Sequence, residues 1–100
     1  MTFEEIEKNI KHKLTLPLPF QARVKFDFGD KGILFIDSTK SPPEMSYEDS
    51  EADVSLYCDM DLFASILQGT QDPNIAYMMG KLKVKGSMGL AMKLNSFLED

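Results

Sequence analysis

One cysteine, Cys58, and one histidine, His12, are all that the chain has of the two most versatile reactive side chains. A lone thiol excludes an internal disulfide and agrees with a reducing compartment. His12 lies between Lys11 and Lys13 near the end of a predicted helix, where cations suit the dipole, and reads as a solvated residue. No basic neighbour in sequence lowers the Cys58 pKa, so a Cys58–His12 dyad would depend wholly on the fold to bring the pair together. Clustered metal ligands at a fixed interval are missing, and neither a metal nor a cofactor is expected. Basic charge is scarce too: 11 Lys and Arg stand against 16 Asp and Glu, a net charge of −5. General nucleic-acid binding through phosphates is set aside by that balance. No apolar run approaches the ~18 residues of a membrane span. The start, Met1-Thr2-Phe3-Glu4-Glu5, has acid where a targeting signal has base, which predicts a cytoplasmic protein. Repeats and low-complexity segments are also missing.

What the chain does have is enough apolar material for one core. With 43% hydrophobic residues over 100 positions, it is expected to form a single domain over residues 1–100. Seven methionines stand out, five of them between residues 60 and 92. Unbranched thioethers fill irregular or changing apolar space better than branched side chains do.

Thr2 and Glu5 form a capping box, and Phe3, Ile6 and Ile10 share one face of a helix predicted over residues 3–13. Leu16-Pro17-Leu18-Pro19-Phe20 forbids helix and reads as an extended linker. Ala22, Val24, Phe26 and Phe28 alternate with Arg23, Lys25 and Asp27 as in a half-buried strand. A turn at 29–32 leads to a second strand, residues 33–36, which is apolar on both faces and needs cover above and below. Residues 44–47 read as a brief edge strand, and 54–58 as another strand. Asp59 is the expected N-cap of a helix with Asp61 in its first turn. Leu62, Phe63, Ile66 and Leu67 form its buried face, and Gly69 ends it. Asp72 and Pro73 open a short helix ended by Gly80.

Residues 80–94, GKLKVKGSMGLAMKL, hold the most specific pattern. Leu82 and Val84 alternate with Lys81, Lys83 and Lys85, giving a strand with one wet face. That lysine stripe reads as a solvated edge protected from aggregation, or as a contact for an anionic membrane surface. Ser87 caps a last helix whose apolar positions, Met88 to Leu98, span a wider arc than one core-facing stripe requires. Gly86-Ser87-Met88-Gly89 could seat a phosphate at that helix start, but as a strand-to-helix turn it needs no ligand. Asp59 and Asp61 suit a cap and a first-turn charge better than a catalytic pair. Convergent reactive groups are therefore few, and an enzyme is not expected.

Together with Asp53, Asp61-Leu62, Gly69 and Pro73, the 80–94 segment resembles the C-terminal half of the sterol carrier protein 2 family. The resemblance implies an α+β fold: a five-stranded, mostly antiparallel sheet covered by helices, with an apolar tunnel between the layers. It implies non-enzymatic binding or transfer of a fatty acid, fatty acyl-CoA, phospholipid or sterol-like ligand. The expected tunnel lining is Leu62, Phe63, Ile66, Met78, Leu82, Met88, Met92, Leu94 and Phe97, with Phe26 and Phe35 from the hairpin, and the last helix as its gate. An accessory module of a lipid- or quinone-related pathway, with no ligand of its own, is the alternative. Animal members end in Ser-Lys-Leu, whereas this chain ends Phe97-Leu98-Glu99-Asp100, which predicts no peroxisomal import by that signal.

Overall fold

The computed structural model describes residues 1–99. In chain order it has α1 (Phe3–Lys13), β1 (Arg23–Asp27), a 3-10 turn (Gly29–Lys31), β2 (Ile33–Asp37), β3 (Glu44–Ser46), β4 (Val54–Tyr57), α2 (Met60–Leu67), α3 (Pro73–Met78), β5 (Lys83–Gly86) and α4 (Met88–Glu99). The sheet order is β3-β2-β1-β4-β5, antiparallel except between β1 and β4.

Period-two alternation sorts the sheet into two faces. Val24 and Phe26 pair with Ile36 and Leu34 on one side and with Val54 and Leu56 on the other, so all six share a face. That face forms one core cluster with Ile6 and Ile10 of α1, Phe63 and Ile66 of α2, Ala76 of α3 and Leu94 of α4. All four helices therefore cover the same side, as an amphipathic helix must when only one apolar surface is available to it.

The opposite face carries Arg23, Lys25, Phe35 and Ser55. Because β3 lies at one edge and β4 beyond β1, the connection between them has to cross β2 and β1. It crosses on the Lys25 side, where the Asp49 carboxylate accepts from Lys25 Nζ at 2.7 Å and holds the lysine pKa above its ordinary value. Irregular chain, rather than a helix, thus provides the second cover that the two-faced strand 33–36 requires.

Local signals act largely as expected. The Thr2–Glu5 capping box is complete, and Asp72 accepts from the Asn74 and Ile75 amides above Pro73. Asp59 departs from expectation. Its backbone is at the N-cap position of α2, yet its carboxylate accepts no helix amide. A second difference concerns Lys81, which lies outside β5. The amides of Lys81 and Leu82 both donate to Ala76 O, at 2.9 and 3.2 Å, so these two residues close the end of α3 and the sheet ladder starts two residues later than the alternation predicts.

Candidate functional site

The face shared by α3, β5 and α4 encloses an apolar cleft of about 60 Å³. Its floor is set by sheet register, since Leu56 of β4 pairs with Val84 of β5 and both side chains point to the helix side. One wall comes from α4, where Met88, Ala91, Met92 and Asn95 recur at helical spacing. Tyr77 of α3 forms the other wall, and Leu82 lies just before β5. Across the opening, Asn95 Nδ2 donates to Asn74 Oδ1 at 3.0 Å and ties the two helices together. Ser87 caps α4 by accepting from the Leu90 amide at 3.2 Å, which fixes where the helix starts and which residues face the cleft.

The volume is about twice the ~30 Å³ that one water occupies in the liquid. Met88 and Met92 at the rim are 49% and 70% exposed, so apolar surface continues outward from the cleft.

Leu82, Met88 and Met92 are the predicted lining residues that the structure brings together. Phe26, Phe63, Ile66 and Leu94 lie deeper, each 1% exposed or less, with the Phe26 and Phe63 rings 5.0 Å apart. At the centre of the expected tunnel the layers are in direct contact. Phe97 packs edge-on against Phe20 of the linker, 5.4 Å between ring centroids, on the side of α4 away from the cleft floor. Three positions need correction, the first being Leu62, which borders a separate hollow at the ends of β1 and β4 and not this cleft. Phe35 lies on the face remote from the helices, because it pairs with Lys25 where Phe26 pairs with Leu34, and it cannot share an interlayer space with Phe26. Met78 projects from α3 into solvent, 78% exposed, and takes no part in the cleft. Leu56, Tyr77, Val84 and Ala91 are lining residues beyond that set. The alternation of Val84 and the helical phase of Ala91 mark both as inward, but only the folded chain shows which inward residues meet an opening.

A broader hollow of about 790 Å³ lies at the ends of β1 and β4. Asp27, Asp30, Asp59 and Asp61 border it together with Lys81 and Lys83, so its walls carry both charges. Cys58 and Leu62 are there as well, with no histidine among the lining residues, and no Cys58–His12 dyad forms there. Burial, with Asp59 adding to it, pushes the Cys58 thiol up to about 12. The thiolate is the reactive form. Cys58 is expected to resist iodoacetamide at pH 8 in the folded protein and to react readily in guanidinium; rapid labelling of both states would contradict this environment. Among the described residues, no group of three or more His, Cys, Asp or Glu is placed to hold a metal ion. None of the described helices is long and apolar enough to cross a membrane.

A five-stranded sheet with four helices on one face, and an apolar cleft where its edge strand meets two of them, defines a small α+β domain. The profile of the SCP-2 sterol transfer family matches residues 3–99, and the chain belongs to that family. It is 34% identical over 104 residues to sterol carrier protein 2 of Rattus norvegicus, covering 96% of this chain and 19% of the relative. Hydroxysteroid dehydrogenase-like protein 2 of Xenopus laevis is 30% identical over 99 residues, with 97% of this chain and 24% of the relative covered. The chain thus spans about a fifth to a quarter of the length of these curated relatives. In fold it is similar to Sterol Carrier Protein-2 from Aedes aegypti, solved in complex with the C16 fatty acid palmitate. The TM-score is 0.79 at 22% identity, with 95% of this chain and 92% of the other covered.

Proposed function

We propose that the chain is a non-enzymatic carrier of single-chain lipids of the fatty acid or fatty acyl class, with the α3–β5–α4 cleft as the entrance. The apolar cleft rimmed by exposed methionines is the observation that carries this reading. Palmitate in the related mosquito structure supports it. The cleft widens when α4 moves away from α3, which breaks the Asn95–Asn74 hydrogen bond and lets Met88 and Met92 re-form around the chain. Methionine suits that role because three rotatable bonds let one side chain line both a closed and an open space. Each methylene removed from water contributes ~0.8 kcal/mol, so a C16 chain gains on the order of 10 kcal/mol before ordering and opening costs. Carriage then needs no strong polar contact, in keeping with the thinness of reactive chemistry in the sequence. The lone Cys58, free of any disulfide, suits work in a reducing compartment such as the cytoplasm.

Thermal unfolding with and without palmitate tests the proposal. A ligand bound only by the native state stabilises by RT ln(1 + [L]/Kd), ~2.7 kcal/mol at a hundredfold excess over Kd. For a domain of this size that is a Tm rise of about 10 °C or more. An unchanged Tm across C12 to C18 fatty acids and their CoA esters removes the carrier reading.

A further inference from the structure

The two edges of the sheet are unlike. At one end β3 is three residues long and follows Pro42 and Pro43, which have no amide hydrogen to offer a further strand. At the other end β5 contains no proline, and three of its four residues are exposed.

Pairing with β4 determines which main-chain groups of β5 face outward. The Cys58 amide donates to the Asp27 carbonyl at 3.2 Å, so alternate amides of β4 reach β1 and the others, at Ser55 and Tyr57, reach β5. The Ser87 amide, which donates to the Asp53 carbonyl at 3.0 Å, agrees with that alternation. Lys85 and Lys83, which pair with Ser55 and Tyr57, therefore direct their main-chain groups at β4. The Val84 amide and carbonyl and the Gly86 amide point away from the sheet. Among the described residues neither of those amides donates to another segment.

Side chains follow the same alternation. Val84 points to the helix layer, and Lys83 and Lys85 stand on the opposite face beside Tyr57 and Ser55. Edge lysines discourage a second copy, since β5 against β5 brings ammonium to ammonium, but they do not discourage an acidic strand. On that face the Asp49 carboxylate is engaged by Lys25 of β1, two strands in from β5, roughly 10 Å and about one Debye length at physiological salt. Lys83 also borders the hollow with its four aspartates, so the demand for a carboxylate is strongest opposite Lys85, which has no ion pair among the described residues.

We propose that β5 is a docking edge for an extended acidic segment of a partner protein, which adds to the sheet as an antiparallel strand. Main-chain hydrogen bonds to Val84 and Gly86 hold the segment, and carboxylates opposite Lys83 and Lys85 select it. The alternate positions of the segment lie on the Val84 face and suit apolar residues. The shortness of the edge makes the contact reversible. This goes beyond the carrier reading and does not depend on it.

Titration of the whole, isotope-labelled chain with a capped synthetic peptide of alternating glutamate and valine tests the assignment. The Val84 and Gly86 amides are expected to shift in the NMR spectrum and to exchange more slowly with solvent, with binding that weakens as salt rises. N-methylation of the peptide's valines removes the donors aimed at β5 and keeps the charge, so it should lower affinity about tenfold or more. In Lys83→Glu/Lys85→Glu, two residues outside the cleft, preference should reverse from the glutamate peptide to its lysine counterpart, a gain that a misfolded chain does not give. Absence of binding by the glutamate peptide overturns the docking edge. Equal binding of the N-methylated form also overturns it, because adsorption by charge alone then accounts for the contact. A dimeric parent whose Val84 and Gly86 amides already exchange slowly overturns it too and makes a second copy the occupant. A parent without a thermal shift in palmitate, yet with those amides protected by the peptide, removes the carrier reading and leaves the docking edge standing.

Discussion

Ala91→Trp is expected to abolish fatty-acid uptake while leaving the protein folded. Ala91 is 6% exposed and lines the cleft from the middle of the α4 face that looks onto Leu82 and Val84. An indole there fills the space of about 60 Å³ that α3, β5 and α4 leave between them, and leaves no room for an acyl chain. Excluding four methylenes of a guest forfeits ~3 kcal/mol, a loss of about 200-fold in affinity. Overpacking costs typically 1–3 kcal/mol, which a domain stable by 5–15 kcal/mol survives at room temperature. Titration with a fluorescent fatty acid measures the first effect and circular dichroism the second. Met92→Leu keeps the rim apolar and should bind nearly as the parent does. Full binding by a folded Ala91→Trp protein would show that the guest goes elsewhere.

A second large effect is expected at Gly86, and it concerns the fold. The residue has φ of +103°, and a Cβ placed on it would be 2.4 Å from the Asp53 carbonyl oxygen and 3.1 Å from Val54 Cα. Both neighbours are backbone, so no side chain can swing aside. Asp53 is itself fixed at both ends. Its carboxylate accepts from the Arg23 amide at 2.8 Å, and its carbonyl accepts from the Ser87 amide at 3.0 Å. Gly86→Ala therefore strains the junction where β1, β4, β5 and α4 meet, and the expected loss is about 3 kcal/mol, a drop in Tm on the order of 15 °C. Gly80→Ala is the comparison. That glycine also has positive φ, +74°, but a Cβ meets nothing within 4 Å, so only the backbone penalty of ~1 kcal/mol remains. Equal melting temperatures for the two variants would show that the contact with Asp53 yields easily.

These two residues show how unevenly the sequence speaks. Gly86 was legible as the end of a strand and Ser87 as a cap, since both depend on neighbours in the chain. That a carbonyl 33 residues earlier presses against Gly86 depends on which strand lies beside it. Phe26 and Phe35 teach the same lesson on the sheet. Each is plainly apolar, and each is buried. Antiparallel register alone puts them on opposite faces, because Phe26 pairs with Leu34 and Phe35 with Lys25. The methionines diverge for a related reason: Met88 and Met92 sit at the rim of an opening while Met78, equally apolar, projects into water. Helical phase distinguishes inward from outward, but it does not say whether the inward side faces a solid core or a cleft.

Alternation, capping residues and the position of proline and glycine determined by themselves that this chain would have helices near both ends, a hairpin early on, and lysines along its last strand. Those signals act over a few residues and survive without any knowledge of partners. The tertiary structure decided the rest: which strands are neighbours, which face holds the helices, that irregular chain covers the other face, and that the apolar surplus of α4 collects at a cleft beside the edge strand. The physical reason is that burial is a property of pairs of surfaces. A residue's own chemistry fixes its wish to leave water, and only the packing of distant segments fixes what it meets when it does.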